Sequence, residues 1–165
     1  MATLTVLKFQ TAEGAAEMES LLLNLQKQQL INVEDAAIVT WPTGKKKPKT
    51  QQLHSLAGVG ALEGAFWGML FGLIFFVPFL GLAIGAAMGA WAASMADIGI
   101  DDNFIKQVRS QVTEGTSALF LLTSGVVMDR VAQEIKSRNI HFEIISTNLD
   151  AEQDAKLRET FAANA

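Results

Sequence analysis

The chain has 165 residues, a formal net charge of −4 and no cysteine. This length favours one compact domain, or one domain with an insertion. The absence of cysteine excludes a disulfide framework and thiolate metal sites, and the mildly acidic balance argues against a general nucleic-acid binder. Charged side chains make up 18% of the chain but are unevenly distributed, because residues 64–96 contain none.

The first part of the chain predicts a strand, a helix and two further strands. Residues 3–9 are partly alternating and rich in β-branched side chains, as in a strand. Residues 12–30 place apolar side chains at helical spacing, and Thr11 is a candidate N-cap for this helix. Residues 34–41 predict a second strand. Residues 49–54 predict a short polar strand that pairs with its predecessor.

A second strand–helix–strand pattern appears later in the chain. Residues 117–123 read as a mostly buried strand, Val127, Val131 and Ile135 mark an amphipathic helix, and residues 141–147 predict another strand. Two such units are the outline of a split βαβ, ferredoxin-like sandwich. The predicted fold class is therefore α+β.

Two more helices are predicted around this second unit. The first covers residues 102–113, with Asp101 as its N-cap and Gly115 as its C-terminal stop. The second covers residues 150–165 and is capped by Asp150.

The uncharged run interrupts the predicted sandwich as a glycine-zipper helical hairpin. We predict residues 1–56 as the first half of the α/β domain, 57–97 as a membrane hairpin and 98–165 as the second half. Glycine recurs at every fourth residue in two series, from 60 to 72 and from 81 to 89, and this spacing places each series on one helix face. In an exposed helix each glycine costs about 1 kcal/mol of stability relative to alanine. In a membrane, close packing between helices through small residues compensates for that cost. The helix-packing glycines are Gly60, Gly64, Gly68, Gly72, Gly81, Gly85 and Gly89.

The aromatic side chains of the hairpin are predicted to form its membrane tip and interface. The first arm, Gly64–Phe76, reaches about 20 Å, whereas the hydrocarbon core is about 30 Å thick. This favours a re-entrant wedge, although a start at Ala57 would allow full spans. A hairpin buried in a soluble core is the alternative. The tip and interface residues are Trp67, Phe71, Phe75, Phe76, Pro78, Phe79 and Trp91.

A hairpin of this kind enters the membrane through one arm and leaves it through the other on the same side. We therefore expect a membrane location with both termini on the same side, which we take to be the cytoplasmic side. The basic turn formed by Lys45, Lys46, Lys47 and Lys49 is compatible with a solvated turn. It is equally compatible with contacts to anionic lipid headgroups.

No pattern of catalytic, cofactor-binding or metal-ligating residues emerges from the sequence. His54 and His141 have no ligand spacing, and Asp97, Asp101 and Asp102 fit helix capping better than a calcium loop. We expect no enzyme activity and no cofactor. The role of Glu63, at the start of the apolar run, is left open by the sequence.

Several stretches resemble a bacterial family of predicted membrane proteins, the domain of unknown function twelve sixty-nine. The resemblance implies a membrane protein and supplies no activity. The matching stretches are residues 33–36, the glycine series from Gly60, residues 66–68, 96–102 and 115–120.

The leading functional hypothesis is a non-enzymatic, membrane-inserted homo-oligomer. It would scaffold or curve membrane, or enclose lipid, with membrane lipid and its own copies as partners and no nucleic acid. A membrane-tethered ligand-binding or regulatory module is the alternative. A small channel ranks third, because the glycine faces carry no polar side chains that could line a pore.

Overall fold

The computed structural model describes residues 2–27, 33–53, 64–76, 93–124, 133–134, 136–137 and 141–161. Its centre is a five-stranded sheet in the order β3-β2-β4-β1-β5, in which every neighbouring pair is antiparallel. The strands are β1 (Ala2–Phe9), β2 (Val33–Thr40), β3 (Lys49–Gln52), β4 (Ser117–Ser124) and β5 (Phe142–Leu149). The α+β prediction is confirmed, and so is the pairing of β3 with β2.

The sheet is built from both ends of the chain. Strand β4 lies between β1 and β2 and is antiparallel to each. Strands β1 and β2 are therefore parallel to each other, as a helical crossover between them requires. The β2–β4 register shifts between Val33 and Asp35. Such a bulge redirects the side chains beside it.

The helices lie between and after the strands. Residues 93–98 are helical, and so are the described residues between 133 and 137. The others are α1 (Gly14–Lys27), α2 (Gly64–Phe71), α3 (Asp102–Gln111) and α4 (Ala151–Phe161), and α2 continues as a π-helical segment, Gly72–Phe76.

Two predicted N-caps are confirmed. The Asp101 carboxylate accepts a hydrogen bond from the backbone N–H of Phe104 at 2.9 Å. Asp150 and Gln153 form a reciprocal capping box, in which the Gln153 N–H donates to Asp150 at 2.8 Å and the Asp150 N–H donates to Gln153 at 3.0 Å. These caps fix where α3 and α4 begin.

Two other terminus predictions need correction. The hydroxyl that accepts from the Ala15 N–H is Ser117 Oγ on β4, at 2.9 Å, and not that of Thr11. Thr11 contributes its carbonyl, which accepts from the Ser117 hydroxyl at 2.7 Å. Helix α3 ends with Val112 as its C-cap, so Gly115, with φ of 85°, shapes the turn that enters β4 instead.

Apolar side chains cover both faces of the sheet. On one face α1 packs Met18, Leu22 and Leu25 against side chains of β2 and β4. On the other face Leu4, Val39 and Phe120 of the strands contact a second layer. This layer consists of α2, the π-helical segment, residues 95–100, α3 and α4. The start of the predicted hairpin is therefore a covering layer of the α+β domain.

Candidate functional site

Aromatic side chains of the first predicted arm lie against the sheet. Trp67 stacks on Phe71 with ring centroids 5.7 Å apart, and Phe71 meets Phe120 of β4 edge-to-face at 5.0 Å. Trp67, Phe71 and Phe75 are 2%, 3% and 2% exposed. The sequence predicts these three residues at a membrane tip and interface, and in the structure their side chains are buried within the chain. The second sheet face offers them apolar surface within the same chain.

A buried carboxylate fastens α2 to the sheet. Asp35 of β2 is fully buried and accepts hydrogen bonds from three different elements of its surroundings, its own strand, β3 and α2. The donors are the Ala36 N–H at 2.8 Å, Gln52 Nε2 at 2.9 Å and Trp67 Nε1 at 3.0 Å. A buried charge is tolerated only where donors replace water, so β2, β3 and α2 hold one another through this group.

An arginine of α3 caps the end of the first arm. Arg109 donates from its guanidinium to the carbonyl of Leu73 at 2.6 Å and to that of Ile74 at 3.0 Å. Pro78 follows in the sequence, and its ring nitrogen has no hydrogen to donate to a carbonyl four or five residues earlier. A helix that continued through residue 78 would therefore lack one donor, for Ile74 in an α-helix or for Leu73 in a π-helix, and Arg109 donates to both carbonyls.

The basic turn lies at this same end of the sheet. Trp41 meets Phe75 edge-to-face at 6.2 Å, and its indole N–H donates to the Lys45 carbonyl at 2.9 Å. The Gly115 N–H donates to the Trp41 carbonyl at 2.7 Å. The side chains of Lys45, Lys46, Lys47 and Lys49 are exposed. The turn thus lies beside the far end of the predicted first arm.

The described glycines of the predicted zipper differ in environment. Gly64 and Gly68 are exposed, and apart from its own helix backbone and chain neighbours a Cβ added to Gly68 would meet no atom of the described residues within 4 Å. A Cβ added to Gly64 would meet only Gln52 Oε1, at 3.8 Å. Gly72 is buried in the π-helical segment. Phe76 is the last residue of the π-helical segment. The other predicted glycine and tip positions lie outside the described residues, and they are Gly60, Gly81, Gly85, Gly89, Pro78, Phe79 and Trp91.

The remaining sequence candidates add no reactive centre. In the described ranges, no group of three His, Cys, Asp or Glu side chains is arranged to hold a metal ion. His141 is exposed, and His54 and Glu63 lie outside the described residues. No described helix is both long enough and apolar enough to cross a bilayer.

Asp35→Asn should reduce the free energy of unfolding by about 2–3 kcal/mol, because the new amide must point its N–H₂ at an existing donor. Gln52 can turn its own amide to accept, but neither Trp67 Nε1 nor the Ala36 N–H can. Urea denaturation measures the loss, with the exposed Asp97→Asn as the matched control. Equal stability of the two variants would contradict the assigned hydrogen bonds.

Arg109→Met should reduce stability by about 1–2 kcal/mol, because two carbonyls lose a charged donor. The control Lys106→Met, on the same helix, should change stability by less than about 0.5 kcal/mol. In a Pro78→Ala background, residue 78 regains an N–H, so the loss on Arg109→Met should shrink by about 1 kcal/mol. Strict additivity of the two substitutions would count against a shared role in satisfying these carbonyls.

Comparison with known proteins gives a family and no activity. No curated protein and no solved structure matches the chain significantly. A family described as protein of unknown function (DUF1269) matches residues 61–162, which include Trp67, Phe71 and Arg109. This match covers more than half of the sequence and agrees with the resemblance predicted from it, so the chain belongs to the family of proteins of unknown function DUF1269.

Proposed function

We propose that this chain is a non-enzymatic structural protein that inserts the uncharged sequence after Phe76 into a lipid bilayer. Several copies would then scaffold or curve the membrane, or enclose lipid. One observation carries the proposal. The run without charged side chains extends over residues 64–96, and among its described residues the first part, in α2 and the π-helical segment, and Met95 near its end are buried against the sheet.

The apolar composition of residues 64–76 has a sufficient cause in the core of the domain. Residues 77–92 continue the run and carry no charged side chain. A helix of this length would reach about 24 Å, which is less than the about 30 Å of the hydrocarbon core. A re-entrant insertion therefore fits this sequence better than a pair of full spans.

The sheet constrains the topology of any such insertion. Strands β2 and β3 precede residues 77–92, and β4 and β5 follow them in the same sheet. Both termini must then lie on one side of the membrane, which we propose to be the cytoplasmic side. We further propose a split βαβ, ferredoxin-like sandwich, supported by the strand order β2-β4-β1-β5 and by the crossover through α1.

Self-association is the second part of the proposal. Gly64, Ala65 and Gly68 form an exposed stretch of small residues on α2. Among the described residues, and apart from its own helix backbone and chain neighbours, no atom lies within 4 Å of a Cβ at Gly68, so a second helix could approach this face. Small residues at four-residue spacing permit such close approach between helices.

Membrane association should depend on the apolarity of residues 77–92. Phe79→Glu combined with Ile84→Glu should abolish co-sedimentation with lipid vesicles, because each charge costs about 3 kcal/mol or more at the bilayer centre. The control Phe79→Leu with Ile84→Leu should sediment like the unmodified chain. A deletion of the whole hairpin is unsuitable because it removes Trp67 and Phe71 from the core. Vesicle binding retained by the double glutamate variant would refute insertion through this segment.

Gly68→Leu should reduce oligomer size without lowering the stability of the domain. Apart from its own helix backbone and chain neighbours, the new Cβ meets no atom of the described residues within 4 Å, but the side chain would separate two helices packed through this face. Size-exclusion chromatography with light scattering measures the assembly, and urea denaturation measures the domain. Gly68→Ala is the control and should keep the assembly. An unchanged particle mass for Gly68→Leu would exclude this face as the contact.

A further inference from the structure

Three separate segments meet at one end of the sheet. The contacts of Trp41 with Phe75 and with the Gly115 N–H bring together the end of β2, the end of the first arm and the turn before β4. The Gly44 N–H donates to the Glu114 carboxylate and closes this end further. We call it the basic end, and it comprises residues 41–49, 73–76 and 109–115.

Positive charge dominates the basic end. Lys45, Lys46 and Lys47 are exposed, and in the described part of the chain their ammonium groups take part in no ion pair. Lys49 is also exposed, and Arg109 adds a fifth cation, held by the two carbonyls of the first arm. Glu114 is the acidic group that contacts this end, and it is engaged by the Gly44 N–H. The balance is therefore positive on a chain whose total charge is −4.

The basic end is also where the apolar sequence leaves the described domain. Phe75 lies beside Trp41, and residue 77 can be no farther than about 3.8 Å, Cα to Cα, from residue 76. A bilayer that takes up the residues after Phe76 must then approach this end first. Trp41 is half-buried with its N–H occupied, which is the kind of amphipathic side chain found at membrane interfaces.

We propose that the basic end binds the phosphate groups of anionic lipids and so orients the sandwich with its β2–β3 turn against the membrane. This inference rests on the proposed membrane association and adds lipid-charge selectivity and a docking orientation to it. Lysines near an anionic surface each favour binding, and they do so additively over a short range. A nucleic acid would meet the same lysines, but the acidic remainder of the chain disfavours it.

The test compares partition of the full-length chain into phosphatidylcholine vesicles with and without phosphatidylglycerol. Substituting Lys45→Gln, Lys46→Gln and Lys47→Gln together should weaken partition into the anionic vesicles about 100-fold and leave partition into neutral vesicles unchanged. The control removes three exposed lysines elsewhere, through Lys27→Gln, Lys136→Gln and Lys156→Gln, and so has the same net charge. It should bind anionic vesicles close to the level of the unmodified chain.

Orientation can be read independently in this cysteine-free chain. A dye attached at Thr43→Cys should be quenched by a headgroup-level quencher, and a dye at Lys27→Cys, at the opposite end of the domain, should not. Equal anionic partition of the two lysine triples, or equal quenching at both positions, would overturn the basic end as the binding site. Failure of the unmodified chain to bind either vesicle type would overturn the membrane proposal as well. Loss of single-stranded RNA binding without loss of vesicle binding in the Lys45–Lys47 triple would reassign the site to nucleic acid.

Discussion

The buried carboxylate of Asp35 is the constraint on which the arrangement of this domain depends. Its hydrogen bonds come from β2, from Gln52 of β3 and from the Trp67 indole of α2. Withdrawing α2 from the sheet would leave that carboxylate short of a donor inside the protein, and it would expose Phe71 with its stacked partner. A buried charge that loses one donor is strongly destabilising. The first arm is thus held in the core of the domain, and the proposed insertion into lipid concerns the sequence beyond it.

Strand and helix positions could be predicted from the sequence because they depend on local signals. Alternation marks β1, and side-chain carboxylates at Asp101 and Asp150 mark the starts of α3 and α4. The location of Gly64–Phe76 could not be predicted from hydropathy, because an apolar segment is equally well buried against an apolar sheet face and in lipid tails. Trp67 was ambiguous for the same reason, because an indole N–H suits a membrane interface as well as a buried carboxylate.

Two signals in the sequence did point to the covering layer. Residues 118–122 form a continuous apolar stretch, which is typical of a strand buried on both faces, yet α1 covers one face only. Asp35, within an apolar strand, needs a donor from another element. The position of the basic turn had no such signal. Lys45–Lys47 precede the first arm closely in sequence, but the pairing of Trp41 with Phe75 places them at its far end.

The boundary between domain and apolar extension follows from backbone chemistry at Leu73 and Ile74. Their carbonyls accept from Arg109, and Pro78 has no N–H for the one carbonyl that a continuing helix would pair with it. In hydrocarbon every backbone polar group needs an internal partner, because no water is present to replace it. A guanidinium at the mouth of an apolar segment meets that need while its charge stays on the polar side. Arg109 of α3 thus holds the end of the π-helical segment, and the proposed insertion and phosphate contacts would begin beside it.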